Sequence, residues 1–184
     1  MWVALAGGVG GARLAYGLSR ALSPDALIIA VNTGDDFEHL GLAITPDIDT
    51  VCYTLAELDD QERGWGLVGE SWNFMAALKK LGHESWFQLG DGDLAKHVLR
   101  TQMLKEGHSL SAITRHLATA MGIGCTILPM SDDRVPTIVE TVEGRLAFQH
   151  YFVREQCRPV VLGFDYAGAA EVLRQNRRLT KNCS

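Results

Sequence analysis

Trp2-Val3-Ala4-Leu5-Ala6-Gly7-Gly8-Val9-Gly10-Gly11-Ala12-Arg13 opens the chain with five apolar residues and then four glycines in five positions. An apolar run of that length stopped by glycine reads as a short buried strand. Leu14, Leu18 and Leu22 follow at a spacing of four, one face of a helix. Ala26–Val31 is a second apolar run, rich in isoleucine, that ends in Asn32-Thr33-Gly34. Strand, glycine turn, helix, strand is the pattern of a parallel βαβ unit. It predicts an α/β, Rossmann-like three-layer fold around a mostly parallel sheet.

Working outward, further elements follow. A helix is expected from Thr50, with Val51, Leu55 and Leu58 on one face and Asp49 or Thr50 as its cap. Ser71–Leu81 reads as a helix stopped by Gly82. Trp86–Leu89 reads as a short strand, and Leu94–Leu104 as a helix whose face is Leu94, Val98, Thr101 and Leu104. Ser109 is placed to cap a helix running to Met121. Cys125–Leu128 suggests a strand. Thr137–Val142 and Arg145–Val153, around Glu143-Gly144, read as a β-hairpin near the C-terminus, with Leu146, Phe148, His150 and Phe152 alternating on one face. A short helical pattern covers Ala167–Leu173. Residues 1–170 are expected to form one domain and 171–184 a divergent polar tail.

Composition narrows the function. The 184 residues are 47% apolar and 21% charged, ordinary for a globular domain, and the net charge of −5 argues against a nucleic-acid partner. No apolar stretch approaches a membrane span, and no signal peptide is evident at the start. Cys52, Cys125, Cys157 and Cys183 show no CxxC spacing, so a reduced, cytoplasmic setting is the expectation.

The chemistry-bearing residues sit after strands. Glycines between a strand and a helix allow a sharp turn and a close ligand approach, and the free amides at the helix start suit a phosphate. Gly8, Gly10 and Gly11 are therefore candidate phosphate contacts; a tight turn without a ligand is the competing reading. Arg13 either adds charge there or lies on the helix surface. Asn32-Thr33-Gly34-Asp35-Asp36 would emerge on the same sheet edge, and two carboxylates beside a phosphate call for a cation, with Mg2+ the natural one. Solvated turn acids are the alternative. Pro46-Asp47-Ile48-Asp49-Thr50, Gly90-Asp91-Gly92-Asp93 and Ser131-Asp132-Asp133 could extend the acidic rim, or act as caps and surface turns. Together these loops favour phosphoryl-type transfer over hydride or acyl chemistry. The histidines His39, His97, His108, His116 and His150 show no metal-ligand spacing and are assigned to surface or packing roles.

The blocks Gly-Gly-Val-Gly-Gly-Ala-Arg at 7–13, Asn-Thr-Gly-Asp-Asp at 32–36, Pro-Asp-Ile-Asp-Thr at 46–50, Arg-Gly-Trp-Gly at 63–66, Leu-Gly-Asp-Gly-Asp-Leu-Ala at 89–95 and Leu-Pro-Met-Ser-Asp-Asp at 128–133 occur in one order. In that order the chain resembles the 2-phospho-L-lactate transferases of coenzyme F-420 biosynthesis. The resemblance implies a Rossmann-like, magnesium-dependent transferase. It would move a 2-phospho-L-lactate or phosphoenolpyruvate-type group from a guanosine-diphospho donor to the ribityl hydroxyl of the deazaflavin Fo, releasing GMP. It also implies that Asp49 and Gln88 contact Fo, that Asp35, Asp36 and Asp49 sit near the metal and diphosphate, and that the glycine loop with Arg13 and Asp91 completes the binding residues. Asp49 and Asp35 are the catalytic candidates, with Asp49 to take the hydroxyl proton. The family is longer than this chain, so a C-terminal truncation is expected; a homodimer is a further expectation. A nucleotide-binding regulatory or inactive fragment of the same superfamily is the alternative, and a nicotinamide oxidoreductase a more distant one.

Overall fold

The computed structural model describes residues 1–170 and Val172. It begins as the glycine pattern predicts: strand β1 (Trp2–Ala6), helix α1 (Gly8–Ala21) and strand β2 (Leu27–Val31). Strand β5 (Thr126–Pro129) completes a three-stranded parallel sheet in the order β1-β2-β5. Leu27, Ile29 and Val31 are essentially inaccessible, and with Ala4, Ala6 and Ile127 they form one face of that sheet. Helix α1, helix α2 (Pro46–Leu55) and helix α5 (Leu110–Ala120) cover this face through Ala12, Ala15, Ile48, Val51, Cys52, Leu110 and Ala118. Burying one such aliphatic side chain contributes about 1.5–3 kcal/mol, so this cluster is the principal core.

The opposite face differs. Val3 is 58% and Leu5 79% exposed, so among the described residues the helices form a layer on one side of the sheet only. Gly11 explains how tightly that layer sits: a Cβ there would lie 2.9 Å from Ala6 Cα, so only glycine lets α1 lie so close to β1.

Two antiparallel units flank the parallel sheet. Strands β3 (Phe37–His39) and β4 (Leu42–Ile44) form a hairpin that the sequence reading missed. Strands β6 (Thr137–Thr141), β7 (Gly144–Ala147) and β8 (Val161–Tyr166) form a sheet in the order β7-β6-β8, and β8 was also missed. The expected hairpin exists, but its second strand stops at Ala147. Residues His150–Arg154 coil into a π-helical turn instead. Tertiary packing decides this, because His150 is drawn against Trp86, with ring centroids 4.8 Å apart, and Gln149 is buried.

Helix α3 (Asn73–Lys80) and helix α4 (Asp91–Lys105) fall where helices were expected, and Ser109 caps α5 by accepting from the Ala112 amide at 3.2 Å. Trp86–Leu89 is not a strand: among the described residues it has no backbone partner, and it is held by its side chains against Phe37 and His39. The helical pattern at Ala167–Leu173 and the tail 171–184 lie largely outside the described residues. Among the described residues no helix is long and apolar enough to cross a membrane.

Candidate active site

Parallel pairing of β1, β2 and β5 brings three loops to one edge: Gly7–Gly8, Asn32–Asp36 and the 130–135 segment. Asp47, in the first turn of α2, ties two of them together. Its Oδ1 accepts from the Gly8 amide at 2.8 Å, and its Oδ2 accepts from Asn32 Nδ2 at 2.8 Å. Asn32 Oδ1 in turn accepts from the Gly34 amide at 3.0 Å. A carboxylate at a helix N-terminus is favoured by the dipole and the free amides. Two amides of the glycine block are engaged within the chain: Gly8 on Asp47, and Gly11 on the Gly7 carbonyl at 3.3 Å. Gly10 stands open, with nothing near the position of a Cβ.

Asp35 and Asp36 follow this junction. Burial, and secondarily Asp47, pushes the Asp35 carboxyl up to about 6. Burial pushes Asp36 up to about 8; Arg100 opposes that rise, while Asp49, Asp47 and Asp35 reinforce it. The acids expected from the sequence thus share one electrostatic neighbourhood.

Asp49 has a different environment. It is buried at the centre of a charged cluster that α4 supplies. Arg100 clasps both its oxygens, with Nη1 at 3.2 Å from Oδ2 and Nη2 on Oδ1, and Lys96 Nζ lies 2.8 Å from Oδ1. Lys96 also sits 3.4 Å from the centre of the Tyr53 ring, a cation–π contact. His97 Nε2 lies 3.0 Å from Asp93 Oδ2, and the Tyr53 hydroxyl donates to Asp93 Oδ1. Burial by itself would raise the Asp49 carboxyl, but Arg100, Lys96 and His97 together hold it well below the usual carboxylate range. Asp93, Lys96, His97 and Arg100 stand at i, i+3, i+4 and i+7, one face of α4. The apolar spacing predicts Leu94, Val98, Thr101 and Leu104 as the inward face of this helix. In the structure His97 and Arg100 are each 1% exposed while Val98 is 48% exposed, because the charges on that face are paired across the interface. His97, assigned to packing, is one of three residues, with Asp49 and Asp93, that each offer a ligand atom within 4.8 Å of the others. The i, i+4 spacing of Asp93 and His97 was the signal available.

Above this cluster opens a cavity of about 490 Å³. Its walls include Trp65, Trp86, Phe87, Phe152 and Tyr53, and Asp49, Asp93 and His97 stand at its polar end. Arg63 fixes one wall by lying over the Trp65 and Trp72 rings at 5.2 and 4.7 Å. Glu84 accepts from Arg154 at 2.9 Å and joins the Trp86 segment to the π-helical turn. A largely apolar, aromatic cavity with a few convergent polar groups suits a flat ring system carrying a polar tail.

The remaining expected residues are dispersed. Gln88 lines this cavity, with its Nε2 donating to Ser85 O at 2.7 Å. Arg13 lies further round, in a groove with Tyr16, Glu57 and Asp59. The Asp91 carboxylate is taken up by α3, accepting from Ser71 Oγ and from the Asn73 and Phe74 amides. The Ser71 hydroxyl bond first, and then those amides, lower it to about 2. Glu70 does the same for α4: it accepts from the Gly92 and Asp93 amides at 2.8 and 2.7 Å, in space that a Cβ on Gly90 would fill.

The family model for 2-phospho-L-lactate transferase CofD matches residues 2–175. The chain belongs to the CofD family. Its similarity to members is substantial: 46% identity over 158 residues to a phosphoenolpyruvate transferase of Kitasatospora aureofaciens, covering 83% of this chain and 49% of that protein. It is 38% identical over 169 residues to a 2-phospho-L-lactate transferase of Methanococcoides burtonii, covering 92% of this chain and 55% of that protein. The chain thus spans about half the length of the curated CofD relatives it matches. A UPF0052-family protein from Bacillus halodurans shares the fold, with a TM-score of 0.51 at 14% identity over 90% of this chain and 50% of that one.

Proposed function

We propose that this chain carries the acceptor-binding and acidic elements of a CofD transferase. That enzyme would move a 2-phospho-L-lactate, or phosphoenolpyruvate-type, group from a guanosine-diphospho donor to the ribityl hydroxyl of the deazaflavin Fo, with release of GMP. The observation that carries this reading is the aromatic cavity whose polar end is the Asp49 cluster, beside the glycine loop. The Fo ring would lie among Trp65, Trp86 and Phe152, with Gln88 at its rim and its hydroxyl tail toward Asp49. Of the glycines expected to meet the donor phosphates, Gly8 and Gly11 have their amides engaged by Asp47 and by the Gly7 carbonyl, so the phosphates would approach at Gly10, with Arg13 and Asp91 more distant.

The reaction forms a bond from the hydroxyl oxygen to phosphorus and breaks the bridging bond to the leaving GMP. The hydroxyl proton needs an acceptor with affinity near neutrality. Asp49, held ionised by two cations, is a poor proton acceptor; it is placed to orient the hydroxyl and to anchor α4. Asp35, raised to about 6 by burial and Asp47, is better matched to proton transfer only while it holds no cation, since a cation on its carboxylate would lower that value. Asp35 and Asp36 also fit a hard, oxygen-preferring cation, since both carboxyls are pushed up by burial and by neighbouring acids. Mg2+ bound there would offset the charge of the diphosphate. Asp49, the third acid proposed for the metal, already faces Arg100 and Lys96, so its share is smaller.

The test has two stages. Titration of Fo into the chain should quench tryptophan fluorescence, and Trp86→Ala should weaken that binding. Incubation with donor, Fo and Mg2+ should then release GMP, detected by chromatography. Absence of Fo binding would refute the reading. A second reading, a nucleotide-binding regulatory protein of the same superfamily without turnover, would be selected by ligand binding with no GMP release.

A further inference from the structure

Between α2 and α3 the chain leaves the body of the fold. Residues 58–68 pair with themselves: the Val68 amide donates to Leu58 O at 2.9 Å, Asp59 bridges Leu67 in antiparallel fashion, and the Asp60 amide donates to Gly66 O at 3.0 Å. The Asp60 carboxylate closes the tip by accepting from the Glu62 and Arg63 amides. The result is a tongue bonded within itself. Among the described residues none of its side chains joins either buried apolar cluster, so it moves more easily than the helices beside it.

Both ends of the tongue are pinned. Glu57 accepts from the Tyr16 hydroxyl on α1 at 2.7 Å, and Glu70 is held by the Gly92 and Asp93 amides of α4. At these ends the backbone passes through the left-handed region, at Glu57 (φ 59°) and Gly69 (φ 71°), which concentrates the change of direction at two points. The tongue separates two open spaces. Gly64, Trp65 and Gly66 wall the aromatic cavity, while Asp59 and Gln61 border the groove of about 450 Å³ around Arg13 and Tyr16. A neck of about 20 Å³ is lined by residues of both. The tip is tied to the body at Trp72, which packs on the cluster of Phe37, Ile44, Met75 and Leu89. The Arg63 guanidinium lies 4.7 Å from the Trp72 ring and 5.2 Å from that of Trp65, and the two indoles meet edge to face at 6.1 Å.

We propose that residues 58–68 are a gate over the aromatic cavity, hinged at Glu57 and Gly69 and latched where Arg63 stacks on Trp72. A cation over an indole at an exposed site holds with modest strength, so the latch can open and reclose. Opening admits or releases a flat ligand, and closing brings Trp65 back over the cavity and sheds water from it. The use of that cavity by a ligand rests on the reading above; the hinge and the latch do not.

Stopped-flow mixing of Fo with the full chain gives both rate constants from the tryptophan quench. A latch that holds the closed form before and after binding slows entry and exit alike. Arg63→Ala should therefore raise the association and dissociation rate constants together, each by about fivefold. The dissociation constant should stay within about twofold, because the two effects cancel. Arg63→Lys keeps a cation at the rings and should remain near wild type. A rise in the dissociation rate alone would make Arg63 part of a fixed wall and overturn the proposal, as would unchanged rates. The gate is also read without ligand, in chain labelled with fluorotryptophan. The Trp65 fluorine resonance should show millisecond exchange, and Arg63→Ala should move it toward the position of a solvated indole, while Trp2 and Trp86 stay in place. A sharp Trp65 resonance that the substitution leaves unmoved overturns the proposal. Failure of Fo to bind refutes the aromatic-cavity reading instead, and the fluorine spectra then decide the gate.

Discussion

Arg100 Nη1 lies 3.2 Å from Asp49 Oδ2, although the two residues are 51 positions apart and both are almost wholly buried. The pair fastens α4 to the first half of α2 beneath the aromatic cavity. Removing one member of a buried pair leaves an uncompensated charge, at a cost of about 3–5 kcal/mol. Arg100→Met should therefore destabilise the chain by about that amount in urea unfolding. Asp49→Asn should also destabilise it, since Arg100 and Lys96 lose their anion. The double variant should cost less than the sum of the two singles. Strict additivity would show that the contact carries no coupling.

Asp36 gives a pH dependence of definite sign. Its carboxyl titrates near 8 in the folded chain against 3.8 unfolded, so the folded state holds the proton more tightly. Stability from this group is intact below pH 3.8 and is lost as the pH rises toward 8; Asp35 acts the same way up to about 6. Asp36→Asn removes the ionisation. Its melting temperature should gain on the wild type between pH 5 and pH 8. Magnesium should raise the wild-type value at pH 8 and leave the variant nearly unmoved. A difference constant with pH would contradict the assignment.

The last two glycines of the block, Gly10 and Gly11, separate into an open and a structural position. Gly11→Ala brings a Cβ within 2.9 Å of the Ala6 backbone and should cost about 1–3 kcal/mol. Gly10→Ala meets nothing within 4 Å and lies inside α1, where alanine is favoured over glycine by about 0.8–1.0 kcal/mol. It should be stable, and any loss of nucleotide affinity in it reports a ligand contact. Thermal melts of both variants decide the matter; a folded, unperturbed Gly11→Ala chain would show that the approach of α1 to β1 has slack.

Val3 and Leu5 present apolar side chains on the uncovered face of the parallel sheet. Contiguous exposed apolar surface promotes association. Val3→Thr with Leu5→Thr keeps strand preference and should reduce self-association in sedimentation velocity. Stability should change by less than about 0.5 kcal/mol, as for surface positions. A loss of several kcal/mol would mean that this face is covered within the chain.

The glycine block at 7–11, flanked by two apolar runs, was enough to predict the βαβ start and the parallel sheet, because local periodicity and turn chemistry act over a few residues. Ser109 and the spans of α3 and α5 were legible for the same reason. The hairpin β3–β4, strand β8 and the π-helical turn at His150–Arg154 were not. Their conformations are decided by partners far along the chain, such as Trp86 against His150 and Tyr166 beside Thr137.

The candidate site divides in the same way. The sequence by itself determined which acids follow which strands, and the parallel order then carries Asp35 and Asp36 to the glycine edge. Only the tertiary structure decided what each acid faces. Asp47 turns to the Gly8 amide, Asp91 to α3, and Asp49 to Lys96 and Arg100 on a helix some fifty residues on. The physical reason is that a carboxylate's chemistry is set by the charges and donors within a few ångströms of it. No spacing along the chain encodes those neighbours until the helices have packed.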